Sequence, residues 1–206
     1  MPNKKPADQA ESSYSMGIHP QYVLVVMLLF GITAMFLSCT IAYVYTRLQH
    51  GAPSMKLPLI FLFNTLILIG SSATLKWASN AYKKDRTQDY KTALLATLIL
   101  SFVFLIAQLY GWKMLFDQNI TINNDNSTSY LYVISALHFL HVMAGLPFLT
   151  QFYFSARKRM VEPVSVLVYF SDPAKRMRLR LLTWYWHFLD ILWIYLIIFF
   201  FVNAWL

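Results

Sequence analysis

Six polar side chains stand inside long apolar runs: Asn64, Gln108, His138, His141, His187 and Asp190. Their types allow three kinds of chemistry. His138 and His141 are three residues apart, as are His187 and Asp190, so on helices each pair shares one face. A histidine set against a carboxylate or an amide keeps both groups hydrogen-bonded where no water competes. The first reading is therefore a structural polar seam of Asn64, His138, His141, His187 and Asp190. The second is haem ligation, because two axial histidines from different helices, His141 and His187, can hold the iron. Against it, Asp190 competes for the histidine, and Trp184 and Trp186 crowd the region. The third is a metal site, for which His138, His141, His187 and Asp190 carry suitable donors. Nothing in their spacing compels it, and we assign no metal ligand. Gly-x-Ser-x-Gly, His-Glu-x-x-His and Walker patterns do not occur, and no nucleophile has an obvious base, so we assign no catalytic residue.

Composition says what must position these groups. The 206 residues are 58% hydrophobic, 17% aromatic and 13% charged. A soluble domain carries about 25% charged residues. Apolar runs fall at about 22–45, 57–78, 93–112, 130–154 and 181–204. Each is long enough to cross a hydrocarbon core of ~30 Å as a helix. The short alternating strands of a β-barrel are absent from the sequence. In lipid a helix satisfies its own backbone groups. The expectation is an all-α membrane bundle of five transmembrane helices. It forms one domain, 22–206, behind a polar tail, 1–21, and no cleavable signal peptide or linker is visible.

Depth follows from the helical rise. Asn64 and His138 each lie roughly 10–12 Å below the same end of the bundle, so these two can meet. His141 is one turn deeper, at a level shared with Asp190. The resulting seam joins the second, fourth and fifth spans. Gly70-Ser-Ser-Ala-Thr74 in the second span permits close helix approach. Pro147, after Ala144-Gly145, invites a kink in the fourth.

The net charge of +8 would suit nucleic acid in a soluble chain. Here the basic residues sit between the apolar runs. One side of the membrane receives fourteen of them: Lys4 and Lys5, the 76–91 cluster and the 157–180 cluster. The other receives only Arg47, Lys56 and Lys113. The positive-inside rule then makes the N-terminus cytoplasmic and, in a bacterium, the C-terminus periplasmic. No nucleic-acid partner is expected. The external loop, 113–129, carries weak glycosylation patterns at Asn119 and Asn126. Cys39 reads as a packed side chain. The cytoplasmic loop 155–180 holds an apolar stretch, 161–170, between two basic clusters. That stretch suits the headgroup region, a partner subunit, or the bundle's own end.

The residues from Trp184 to Tyr195, with Trp186, His187, Phe188, Asp190 and Trp193, carry the pattern W-H-F-x-D-x-x-W. It closely resembles the last helix of subunit III of haem-copper oxidases. Residues 137–145, with His138, His141, Val142 and Gly145, are similar to that family's H-G-x-H-V-x-x-G, and Leu57-Pro58 with Ser71-Ser72 resembles its second helix. Five spans, an inside N-terminus and about 200 residues match the short bacterial form. The resemblance implies a subunit of a terminal oxidase in the bacterial inner membrane with no haem or copper of its own. It would stabilise subunit I, which reduces dioxygen and pumps protons, alongside subunits II and IV and within a larger respiratory supercomplex. It would also bind phospholipid, with Arg176 and Arg178 placed for lipid phosphates. A remote branch of the family accompanies nitric oxide reductases. Two positions depart from the pattern. Asn64 stands where the family has glutamate, turning a carboxylate–histidine pairing with His138 into an amide–histidine bond. Phe139 replaces the glycine of H-G-x-H. The fourth loop is also longer, and Gln108 stands where many relatives are acidic.

Overall fold

The computed structural model describes residues 20–50, 58–121 and 126–205. The tail through residue 19, with Lys4 and Lys5, lies outside them, as do Lys56, Leu57, the centre of the external loop and the Asn126 side chain. The described residues form six helices and no strand: α1 (Pro20–His50), α2 (Ile60–Lys83), α3 (Thr87–Asp117), α4 (Asn126–Arg159), α5 (Pro163–Ser171) and α6 (Pro173–Trp205). Five of them, all but α5, are long and apolar enough to cross a membrane.

Consecutive spans run antiparallel. On α2 and α6, Trp193 meets Phe61 and Thr65 while His187 meets Ser72. On α3 and α4, Trp112 meets Ser135 near one end and Lys91 donates to the Met160 carbonyl at the other. α1 and α6 run parallel: Arg180 reaches the Tyr22 hydroxyl at one end, Thr40 bonds Tyr195 in the middle, and Arg47 donates to the Asn203 carbonyl at the far end. α4 and α6 form the central pair. The α2–α3 hairpin packs on one side of it and α1 on the other. Only 17% of the most apolar window of α1 is buried, against 33–39% in the other four spans, so α1 is the least buried of the five.

The buried core is aromatic and branched-aliphatic: Trp186, Trp193, Phe104, Leu149, Leu189 and Ile134 are all 2% exposed or less. Lipid tails are as apolar as leucine, so this core is held by close packing and interhelical bonds rather than by escape from water. α4 approaches α6 closely at Gly145. A Cβ there would lie 2.9 Å from Trp186 Cζ3 and 3.0 Å from Tyr185 Cε1. α4 runs unbroken through Pro147.

The helix ends differ from the sequence expectation in one instructive place. Residues 155–180 read as a loop, yet α4 continues to Arg159, α6 begins at Pro173, and α5 occupies the apolar stretch between them. Two prolines punctuate what is otherwise helical sequence. Each stands at the first helical position, where its missing N–H costs nothing. Each forces the preceding residue, Glu162 or Asp172, into extended backbone. Asp172 also caps α6, accepting the amides of Ala174 at 3.0 Å and Lys175 at 3.4 Å. The connection between α2 and α3 is tight because Asp85 takes a left-handed conformation, φ 55°, which returns the Arg86 amide to the Ala81 carbonyl. Aspartate tolerates that region better than most residues.

Gly145→Ala is expected to destabilise the chain by about 1–3 kcal/mol, because Trp186 is buried and hydrogen-bonded and cannot swing aside. Gly70→Ala, whose Cβ would meet Leu100 at an ordinary 3.6 Å, is the matched control and should be tolerated. Reversible unfolding in detergent measures both. The Asp172 carboxyl is held below its ordinary range: slight desolvation raises it, but the Lys175 and Ala174 amides and the Lys175 ammonium outweigh that. A depressed carboxyl stabilises the fold above its unfolded pKa and loses that contribution as pH falls through the folded value. Protection of the Ala174 and Lys175 amides from hydrogen exchange should therefore decline on acidification, and be lost at neutral pH in Asp172→Ala.

Candidate functional site: the polar contacts between the helices

α6 carries its polar groups on the stripe that faces α2, and α2 answers with hydroxyls. Trp193 Nε1 donates to Thr65 Oγ1 at 3.2 Å and Trp186 Nε1 to Ser71 Oγ at 3.1 Å. His187 Nδ1 and Ser72 Oγ are joined at 2.6 Å. Trp186 and Trp193 are seven residues apart and their partners Ser71 and Thr65 are six apart, so two turns of one helix register against nearly two turns of the other. Asp190, 5% exposed, sits one turn from His187 with its Oδ2 3.9 Å from His187 Nδ1.

Ser72, His187 and Asp190 have the composition of a nucleophilic triad but not its geometry. In such a relay the serine and the carboxylate engage opposite ring nitrogens. Here both address Nδ1, so Asp190 cannot orient the ring for Ser72 as a base. The grouping can fix helix register and hold a histidine and a carboxylate at depth.

The remaining sequence candidates separate. Asn64, fully buried, donates from Nδ2 to Gln108 Oε1 at 3.0 Å, across the α2–α3 hairpin. The expected amide–histidine bond between Asn64 and His138 is not formed. Its place is taken by ring packing: the His138 ring lies 4.9 Å from that of Trp193 and edge-on to Phe104 at 5.9 Å. α2 packs most closely on α3, which turns Asn64 toward Gln108, while Trp193 occupies the space beside His138. Asn64 Oδ1, Gln108 Nε2 and both His138 nitrogens have no partner in the chain. His141 faces α1. Its Nδ1 donates to the Leu137 carbonyl of its own helix at 2.7 Å, and its ring centre lies 5.9 Å from that of Phe36. Its backbone carbonyl accepts the Tyr185 hydroxyl at 2.8 Å. The level expected to be shared with Asp190 therefore does not bring the two side chains together.

The same geometry weighs on the haem reading. His141 turns toward α1 and His187 toward α2, each with a nitrogen already bonded. Among the described residues no three His, Cys, Asp or Glu side chains converge as a metal site would require. Arg176 and Arg178 are exposed in the first two turns of α6.

Three further contacts extend the network: Thr74 with Thr97 at 2.9 Å, Trp112 Nε1 to Ser135 Oγ at 3.0 Å, and Thr40 with Tyr195 at 3.0 Å. Sequence reasoning passed over Thr65, Thr74 and the tryptophan N–H groups as donors and acceptors. The spacing of about two turns, between Trp186 and Trp193 on α6 and between Thr65 and Ser71 on α2, is the available signal.

A family model described as cytochrome c oxidase subunit III matches residues 22–205, which is all but the ends of the chain. The chain belongs to the cytochrome c oxidase subunit III family. Among curated members, cytochrome c oxidase subunit 3 of Papio hamadryas is 28% identical over 72% of this chain and 54% of its own length. The probable cytochrome c oxidase subunit 3 of Rickettsia felis is 28% identical over 68% of this chain and 46% of its own. That of Lycodon semicarinatus is 30% identical over 70% and 49%. The chain thus spans about half the length of the curated relatives it matches. It is a multi-pass membrane protein of this family, and α6 carries the polar stripe on which the resemblance rests.

The α2–α6 ladder makes a quantitative expectation. A double-mutant cycle between Ser71→Ala and Trp186→Phe should give a coupling of about 0.6 kcal/mol, with ~1.7 as the ceiling for interhelical hydrogen bonds in lipid. A Ser71→Ala cycle with Trp112→Phe, whose partner is Ser135, should give none. Unfolding in mixed micelles measures both.

Proposed function

We propose that this chain is a non-catalytic subunit III of a haem-copper terminal oxidase in the bacterial inner membrane. In this reading it packs against subunit I, which reduces dioxygen and pumps protons, with subunits II and IV in the same complex and a respiratory supercomplex around it. The haem and copper belong to those partners, and the N-terminus and the basic loops face the cytoplasm. The observation that carries the reading is the family match over residues 22–205 together with how the motif's side chains are used. Trp186 and Trp193 spend their indole N–H groups on α2 and His187 its Nδ1, which gives them a role in holding the bundle's shape for a neighbour. Exposed large apolar residues line the outer faces of α1 and α3, Phe30, Leu48 and Ile106 among them, and supply apolar surface for a partner and for phospholipid. Arg176 and Arg178 are the proposed contacts to lipid phosphate.

Affinity purification of the tagged chain in a mild detergent tests this. Co-purification of a haem-containing partner with the visible spectrum of an oxidase, and oxygen uptake by the complex, are the expected results. Recovery of the chain without any such partner would overturn the proposal. Asp190→Ala should weaken retention of the chain in that complex more than its insertion, by about 1–3 kcal/mol, because His187 would lose its buried neighbour. The ratio of this chain to subunit I after a detergent wash is the readout.

A further inference from the structure

The basic end of the bundle holds a feature that the subunit reading does not use. α5 is pinned from one side only. Tyr169 is 2% exposed, its carbonyl accepts the Tyr82 hydroxyl at 3.1 Å, and the Tyr169 and Phe170 rings pack on Tyr82 and Tyr90 at 5.1–6.4 Å. The opposite arc of the helix turns outward and is apolar. Val164, Leu167 and Val168 are 73, 68 and 64% exposed, and Val161, in the bend before the helix, is 76% exposed. The spacing of the three helical residues places them on one face. Beside this arc lies a cleft of about 460 Å³ lined by Lys158, Arg159, Glu162, Val164, Val168 and Lys175. Three cations thus meet Glu162 in the cleft and Asp172 beside it, a net positive charge of one. Asp172, the other nearby acid, is already engaged by the α6 amides and by Lys175 at 3.4 Å. Lys175 is further fixed by lying 4.2 Å over the Tyr169 ring.

An outward apolar arc beside a net-positive cleft, at the end of a transmembrane bundle, has the two halves of one amphiphile's complement. We propose that α5 and the adjoining ends of α4 and α6 form a binding site for an acidic phospholipid. The phosphate lies in the cleft against Lys158, Arg159 and Lys175, and the acyl chains run along Val164, Leu167 and Val168. Apolar burial and anionic attraction add in such interfacial helices. A zwitterionic lipid brings a cation of its own into a cleft that already holds three, so the site selects a headgroup with net negative charge. Glu162 on the rim disfavours an anion entering from its side and steers the phosphate toward Lys158 and Arg159. The site uses residues other than Arg176 and Arg178 and does not depend on which complex the chain joins.

The test uses the full chain. Delipidated protein is titrated with phosphatidylglycerol or phosphatidylcholine and bound lipid is counted by native mass spectrometry. The expected result is preferential retention of phosphatidylglycerol, weakened about tenfold or more in a Lys158→Gln, Arg159→Gln, Lys175→Gln variant, and unchanged in Lys83→Gln, Lys84→Gln, two exposed cations at the same end of the bundle. Equal retention of both lipids, or equal loss in both variants, would overturn it. A spin label at Val168→Cys in a Cys39→Ser background gives a second readout with the charges intact. In vesicles of phosphatidylcholine with one-fifth phosphatidylglycerol, the label should be accessible to oxygen and shielded from a water-soluble relaxant. A label open to the aqueous relaxant would sink the proposal. So would displacement of the lipid by millimolar inorganic phosphate, which would mark a site for a soluble anion. Shielding that appears only in the purified complex would assign the arc to a protein partner instead.

Discussion

Hydrocarbon cannot hydrogen-bond, and that one deficiency organises this chain. Each polar side chain carried to depth must be answered by another helix or by its own backbone, or the desolvation stands uncompensated. α6 carries the heaviest load, with Trp186, His187, Asp190 and Trp193 on one stripe, and α2 carries Thr65, Ser71 and Ser72 opposite. The two sets match only in one antiparallel register. A shift of α6 by one turn would strand two indole N–H groups and an imidazole in a medium with nothing to offer them. Interhelical hydrogen bonds are individually weak in membranes. Their weight here lies in the penalty attached to the wrong register, which makes the polar ladder a device of specificity more than of stability.

Packing supplies the complementary constraint. Gly145 lets α4 approach α6 until the Trp186 and Tyr185 rings fill the space a side chain would need. The same two residues bond outward in opposite directions, Trp186 to Ser71 on α2 and Tyr185 to the His141 carbonyl on α4. One close approach therefore aligns both neighbours of α6 at once. α1, joined to α6 by Thr40–Tyr195 and by Arg47 near its end, adds little burial and leaves most of its apolar surface outward.

How much of this was legible in the sequence divides along physical lines. Length and apolarity of the runs gave the five spans, because the thickness of hydrocarbon sets that scale directly. Their ends were short by several residues: α3 extends to 87–117 rather than 93–112, since a helix continues into the headgroup region wherever its backbone has no better partner. The α5 segment was visible as apolar sequence but not as a helix, although Pro163 and Pro173 carried the signal for a helix start at each. Depth along the membrane normal was readable from helical rise, and azimuth was not. Helical rise puts Asn64 and His138 at one level, yet rotation about the helix axes gives Asn64 to Gln108 and packs His138 against Trp193 and Phe104. Which side of a helix meets which neighbour depends on the assembled bundle, and a single chain without its contacts does not encode it locally.

The Asn64 substitution is informative in that light. A glutamate at this position, where the subunit III pattern has one, would bring a charge or a proton into the α2–α3 interface. An amide brings neither, and it finds in Gln108 a partner of its own kind. The two primary amides share one bond, and Gln108 Nε2 and Asn64 Oδ1 remain buried without a partner in the chain. The interface keeps its polarity without any group that titrates between α2 and α3 at that level. The ionisable pair at depth is then His187 with Asp190, on the far face of α2 and within one turn of each other on a single helix. A bundle arranged this way sets the one buried carboxylate of α6 beside the α2–α6 ladder, and joins α2 to α3 at the level of Asn64 by a neutral contact.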